Sequence, residues 1–356
     1  LKWVKENEPE LFAQVSHFML PGDFIALKLT GEVTTTINGL SEGMLWDYKE
    51  KKVADWLLNH YGIDPLLTPP LVENFENQGT VTKNASLKTG LPIGIPIRYR
   101  AGDQPNNAMT LNVLKPGEVA ATGGTSGVLF AVTDRNTSKE YHRVNHFAHV
   151  NYTKELPVLG TLLCINGAGI LYSWIKKLTR ASSFHEMNVW ASSIAIGSED
   201  HINLPFGNGV ERMLYNKTPG ALLSNLNLNV HTRGHICRAA LEGIAFSFAY
   251  GMEIMQQDAL TLDVVRAGND NLFRSDIFSQ TVATLIGKPI EIYNTTGAIG
   301  AARAAGIENK SINDYSQSVA SMDFVSEVLP IKEKQAYIEA YHKWKQELTR
   351  ALNNLN

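Results

Sequence analysis

Gly102-Asp103-Gln104 sets a carboxylate between a glycine and an amide. An aspartate exposed at a cleft can take a proton from a substrate hydroxyl. Aspartate after glycine is also a common turn, so these three residues leave both readings open. Gly123-Gly124-Thr125-Ser126-Gly127 is the second stretch with chemical potential. Glycines in a tip leave backbone N–H groups free to approach phosphate oxygens, and the two hydroxyls can donate as well. The alternative is a tight turn that needs positive φ. Ala267-Gly268-Asn269-Asp270-Asn271 is the third: small and polar, between a strand and a helix, where α/β folds commonly place a nucleotide.

Other candidates read as structure. Glu211 and Arg212, in the loop Leu204–Arg212, are expected to pair with each other and fix that loop. His142, His146 and His149 are close in sequence and read as a partly exposed loop or strand rather than a metal site. Gly167-Ala168-Gly169 is followed by Tyr172 where a dinucleotide fingerprint wants glycine, so that motif fails. The glycine tip is not a serine hydrolase elbow, and no P-loop stands in the chain. Cys164 and Cys237 sit in apolar or helix-like surroundings, which suits buried reduced thiols and a cytoplasmic setting.

These residues need elements to hold them. Gly90–Arg100 is punctuated by Pro and Gly and reads as a strand carrying Asp103 to an edge. A short helix over Ala108–Leu114 follows, and the turn Lys115-Pro116-Gly117 marks a domain boundary. Glu118–Thr122 and Val128–Thr133 are β-rich and form a hairpin around the glycine tip. Beyond it the spacing predicts a helix over Leu241–Met255, a strand over Leu262–Arg266 and a helix over Asp276–Ile286. A strand over Lys288–Tyr293 follows, with a helix of small residues over Ala298–Ala305 that permits close backbone packing. Alternating strands and helices argue for α/β layers. Ahead of the aspartate, Leu1–Leu20 and Lys49–Tyr61 have helical spacing, Asp23 caps a helix that Gly31 ends, and Thr34–Leu40 reads as a strand or loop. Lys332–Leu352 reads as a surface helix.

Composition narrows the classes. A chain of 356 residues with 44% hydrophobic and 19% charged residues suits two folded domains. No apolar run approaches the ~20 residues of a membrane span. A formal charge of −3 offers no field for nucleic acid. Leu1 is not Met, and Leu1–Glu10 has no signal-peptide character, so the chain is expected to begin inside a helix of a larger protein.

The order of the pieces resembles the FGGY carbohydrate kinases. The residues that carry the likeness are Leu1–Glu10, Leu20-Pro21-Gly22-Asp23-Phe24-Ile25 with Leu29-Thr30-Gly31-Glu32, Gly102-Asp103-Gln104, Gly124-Thr125-Ser126-Gly127 and Leu241-Glu242-Gly243-Ile244-Ala245-Phe246. All five are similar to the branch of that family acting on xylulose. The resemblance implies an α/β, actin-like ATPase (ribonuclease H-like) two-domain fold, with an incomplete first domain. It would run as 1–116 on the sugar side, 117–331 on the nucleotide side and 332–356 as a terminal helix. It implies ATP and Mg²⁺ as cofactors, a small-molecule sugar as partner, no nucleic acid or membrane, and room for a homodimer. Asp103 would take the proton of the terminal hydroxyl of D-xylulose, giving D-xylulose 5-phosphate, with Gln104 touching the sugar. Gly124, Thr125 and Ser126 would hold nucleotide phosphates; Gly268, Asn269 and Asn271 would hold adenosine. The rivals are a kinase for glycerol, gluconate, ribulose or rhamnulose, and a non-catalytic nucleotide-binding regulator. Two departures stand out. The adenosine loop has Ala267-Gly268-Asn269-Asp270 where the family usually has three glycines, and Thr296 stands where an acidic residue often precedes the small-residue helix. The family's opening Asp-x-Gly-Thr loop is nowhere in the sequence, so residues 1–356 alone are expected not to turn over.

Overall fold

The computed structural model describes residues 1–136, 138–257, 260–307 and 312–355. At its centre lies a seven-stranded mixed sheet. In chain order its strands are β1 (Glu118–Gly123), β2 (Gly127–Thr133), β3 (Asn145–Ala148), β4 (Leu159–Ile165), β5 (Val264–Gly268), β6 (Ile290–Tyr293) and β7 (Phe324–Val328). Their order across the sheet is β7-β6-β5-β1-β2-β4-β3. β5 runs parallel to both β1 and β6, and every other neighbour is antiparallel. The expected hairpin is there, closed by the pair Gly123↔Gly127, with Gly124-Thr125-Ser126 as its tip.

Strand alternation divides the core in two. Val119, Ala121, Leu129, Ala131, Leu163 and Ile165 face one side, and Ala120, Phe130, Val132 and Leu162 face the other. The helices that position the site are α1 (Ile37–Glu42), α2 (Asp103–Thr110), α3 (Gly169–Thr179), α4 (Phe184–Ser192), α5 (Arg233–Gln257), α6 (Asp276–Ile286), α7 (Gly297–Ala304) and α8 (Gln335–Asn353). The first side is covered by α3, α4, α5, α6 and α8, the second by α2 and α7 with helix Ile312–Asp323. α8 is more than a surface helix: Tyr337, Tyr341, Trp344 and Leu348 are buried, and Trp344 is 1% exposed. Residue 356, the end of the expected terminal segment, lies outside the described residues.

Four expectations about the front of the chain are corrected. Leu1–Leu20 is not one helix, because Pro9 separates Lys2–Asn7 from Pro9–Phe12 and the rest is irregular. Helix Asp55–His60 is shorter than the pattern Lys49–Tyr61, since Lys52–Val53 pairs with Trp46–Asp47 instead. Thr35–Thr36 is a short strand from which Thr36 caps α1, its hydroxyl accepting from the N–H of Gly39. Gly90–Arg100 is not a regular strand: residues 94–97 pair antiparallel with residues 78–81 through four backbone hydrogen bonds around the Thr80↔Pro96 bridge, and the rest is irregular. Asp103 is therefore carried by the start of α2, not by a strand end. That helix begins five residues earlier than expected, because Pro105 in its first turn has no N–H that needs a partner.

Candidate active site

The charge of Asp103, at the start of α2, reaches Cys164 on β4, and Cys164 pairs with Val128, one place from the Gly123↔Gly127 closure of the tip, so the carboxylate lies near the end of β4 that adjoins the tip. Gly102 is the N-cap, and negative charge is well placed in the first helical turn that follows it. Asp103 is exposed, and Gln104 donates to its Oδ2 at 3.4 Å.

At position 102 the φ of −66° is ordinary, and the space a β-carbon would take is filled by the carboxyl of Glu42, the last residue of α1, which would have to swing aside for a larger residue. Glu42, which no sequence motif singles out, is pushed up to about 7 by burial and, second, by the charge of Asp103. Asn38 fixes the same place. It is fully buried, donates to the carbonyl of Ala148 at 2.6 Å and accepts the N–H of Gly102 at 2.7 Å, so it ties the edge strand β3 to the start of α2. On the far side α2 meets α7. Asn106 donates to the carbonyl of Gly297 at 3.0 Å, and a side chain at Gly300 would overlap Thr110. The small-residue helix thus packs directly on the helix that carries the aspartate. Thr296 caps α7 by accepting from the N–H of Ile299, which accounts locally for a hydroxyl at that position.

The thiol of Cys164 on β4 links aspartate and tip. It is raised by burial first and by Glu211 next, with Arg212 opposing, and Asp103 adds a further upward push. Cys164 stands opposite Val128, one pair from Gly127↔Ile165 at the tip. Both thiols are free, as expected; Cys237 is buried and pushed up to about 11.

At the tip, the carbonyls of Gly124 and Thr125 accept the N–H groups of Gly169 and Ile170, the first residues of α3, each at 3.0 Å. There is no room for a β-carbon at Gly169 against the Gly124 carbonyl. The N–H groups and hydroxyls of Thr125 and Ser126 donate to no described residue. That leaves an array of donors suited to an anion. Next to it opens a cleft of about 540 Å³, lined by Gly123, Gly124 and Thr125, by Gly169, Tyr172 and Ser173 of α3, by Phe184, His185 and Asn188 of α4, and by Asn271, Leu272, Arg274 and Ser275. Its size falls within the usual range of ligand sites. Tyr172 stacks on Phe184 with centroids 5.6 Å apart, and its hydroxyl donates to Asn188 at 2.8 Å.

Of the six expected nucleotide residues, Gly124, Thr125 and Asn271 line this cleft, while Ser126, Gly268 and Asn269 do not. The N–H of Asn269 is taken by the carbonyl of Tyr293 at the end of β6. Tyr172, Phe184, His185, Asn188 and Arg274 were not foreseen. The triplet Gly167-Ala168-Gly169, which fails as a dinucleotide motif, is the sequence trace of the contact between α3 and the tip.

Two further expectations are corrected. Glu211 and Arg212 do not pair with each other. Glu211 accepts the N–H groups of Asn166 and Gly167, each at 3.0 Å, whereas Arg212 donates to the carbonyls of Tyr141, His142 and Val144 and to Asn145. His149 is fully buried rather than partly exposed; its Nε2–H donates to the Val113 carbonyl, and burial holds it down to about 4. Among the described residues no three His, Cys, Asp or Glu converge so as to hold a metal ion, and no helix is long and apolar enough to cross a membrane.

Comparison with known proteins gives the family and the fold. The model of the FGGY family of carbohydrate kinases, N-terminal domain, matches residues 1–110, and that of the C-terminal domain matches residues 119–308. A xylulose kinase of Bacillus subtilis is 27% identical over 312 residues, covering 85% of this chain and 60% of that protein. The chain thus spans less than two thirds of the length of the curated relatives it matches first. Among solved structures, a xylulose kinase from Rhodospirillum rubrum superposes with a TM-score of 0.86 at 23% identity, covering 98% of this chain and 70% of that one. A Plasmodium falciparum glycerol kinase with ADP superposes at 0.87 and 20% identity, covering 99% and 71%. These likenesses give the fold, the actin-like ATPase fold of mixed α/β type. With both of its domain models matched in order, the chain belongs to the FGGY family of carbohydrate kinases.

Proposed function

We propose that this chain works in an ATP-dependent sugar kinase that phosphorylates the terminal hydroxyl of D-xylulose to give D-xylulose 5-phosphate, with Asp103 as general base. The observation that carries the reading is that the charge of Asp103 reaches Cys164, one pair from the end of β4 that adjoins the donor-rich tip Gly124-Thr125-Ser126. A sugar hydroxyl seated at Asp103 gives up its proton to the carboxylate as its oxygen attacks the γ-phosphorus. The bond from phosphorus to the β-phosphate oxygen breaks, and ADP leaves. The transition state is loose, so position and charge stabilisation matter more than covalent work. Thr125 and Ser126 would face the γ-phosphate oxygens, and Gln104 would steady the sugar. The nucleoside would occupy the cleft between Tyr172, Asn188 and Asn271. Mg²⁺ would enter as the companion of the nucleotide phosphates, which usually supply part of its coordination. Two free thiols suit a cytoplasmic setting.

In the intact protein, Asp103→Asn should keep ATP and sugar binding while kcat falls by about 10²–10⁴-fold, the usual worth of a general base. Unchanged kcat would remove Asp103 from the role. A second reading, a kinase for another polyol, is favoured by the equally good superposition on a glycerol kinase. Sugar-dependent ADP release over D-xylulose, glycerol, gluconate, ribulose and rhamnulose separates the two.

A further inference from the structure

We propose that Glu211 is a positioning residue for the nucleotide phosphates, setting the glycine tip through a relay of backbone contacts. The inference rests on the kinase reading above. Glu211 is fully buried, and both its oxygens are used: Oε2 accepts the N–H of Asn166 and Oε1 that of Gly167. Those residues lead from β4 into α3. Two residues on, the N–H groups of Gly169 and Ile170 hold the carbonyls of Gly124 and Thr125.

The relay has no slack at its glycines. A side chain at Gly167 would overlap the carbonyl of Pro205, and one at Gly169 the carbonyl of Gly124. Backbone therefore rests on backbone from residue 205 through 167 and 169 to the tip. The far end is also anchored. Asn166 donates to the Val210 carbonyl at 2.6 Å, Asn208 donates to the Asn166 carbonyl at 3.0 Å, and the neighbouring Arg212 grips the segment Tyr141–Asn145. The N–H groups of Asn166 and Gly167 each need an acceptor, and the Glu211 carboxylate supplies one oxygen to each; an amide in its place has a single oxygen and turns its NH₂ towards the other N–H. A shift of the 166–167 backbone moves α3, and with it the free N–H groups of Thr125 and Ser126.

The test uses a property that general structural damage would not mimic. Glu211→Gln should weaken binding of ATP and ADP by about tenfold, the scale of one buried charged hydrogen bond lost, and leave adenosine within twofold of the wild type. The KM for sugar should not move, while kcat for sugar-dependent ADP release falls. Gly169→Ala acts at the other end of the relay without touching a charge and should give the same signature, even if Glu211→Gln fails to fold. Equal loss of ATP and adenosine affinity in both variants, or no loss in either, overturns the proposal while leaving the kinase reading intact. ATP binding without sugar-dependent turnover in an intact protein that also carries the Asp-x-Gly-Thr loop sinks the kinase reading instead.

Discussion

Two carboxylates meet where α1 ends and α2 begins, and one of them pays for the company in protonation. Glu42 is lifted from an ordinary 4.5 to about 7, by burial first and by Asp103 second. A carboxyl whose folded value lies above its unfolded one supplies stability that is complete below about pH 4.5 and lost as pH rises through about 7. His149, held down to about 4 by burial, works in the opposite sense, since the unfolded chain takes up its proton first as pH falls below 6.5. The two slopes overlap, so the informative quantity is the difference between wild type and Glu42→Gln. Denaturant midpoints measured from pH 4.5 to 8 should show the variant gaining on the wild type as pH rises. A constant difference across that range would mean that Glu42 ionises freely beside Asp103. Nothing in the sequence marks Glu42, because its neighbour Gly102 is distant along the chain and their contact exists only after folding.

Among the elements, the junction of α2 with α7 is the most exacting. Gly300 has no space for a methyl group beside Thr110, and the helix is otherwise held by the bond from Asn106 to the Gly297 carbonyl. Gly300→Ala would normally favour a helix by about 1 kcal/mol. Here overpacking of about 1–3 kcal/mol opposes it and wins. The variant should therefore unfold at lower denaturant and, because α2 carries Asp103 at its first turn, lose kcat more than ATP affinity. Equal or greater stability would show that the helices can part without cost. The small-residue helix was legible from its composition alone, as was the hairpin from its β-rich runs and glycine tip. The approach to Asp103 was not. Gly90–Arg100 has the apolar content of a strand, but Pro92 and Pro96 have no N–H to give a ladder, and its pairing with residues 78–81 stops after four backbone hydrogen bonds. The same limit hid half the cleft: Tyr172 and Phe184 read as ordinary apolar helix positions until α3 and α4 bring them together.

Across the whole molecule, the cleft and the aromatic cluster under α8 share one face of the sheet but do not touch. Trp344 is packed among Phe206, Phe246, Tyr250 and Tyr341, and its Nε1–H donates to the Asn203 carbonyl at 3.0 Å. The cleft is lined from α3, α4, the tip and residues 271–275. Removing the indole should cost about 3–5 kcal/mol, through lost contacts and the cavity left behind. A ligand that binds only the folded state restores stability by an amount set by its concentration over Kd, about 2.7 kcal/mol at a hundredfold excess. Sites with no shared partners add nearly independently. Trp344→Ala should therefore melt well below the wild type without ATP, and ATP at a hundred times Kd should stabilise both proteins by the same free energy in chemical denaturation. A smaller gain in the variant would mean that α8 and the nucleotide cleft are coupled through α5, and that the terminal helix acts on binding as well as on stability.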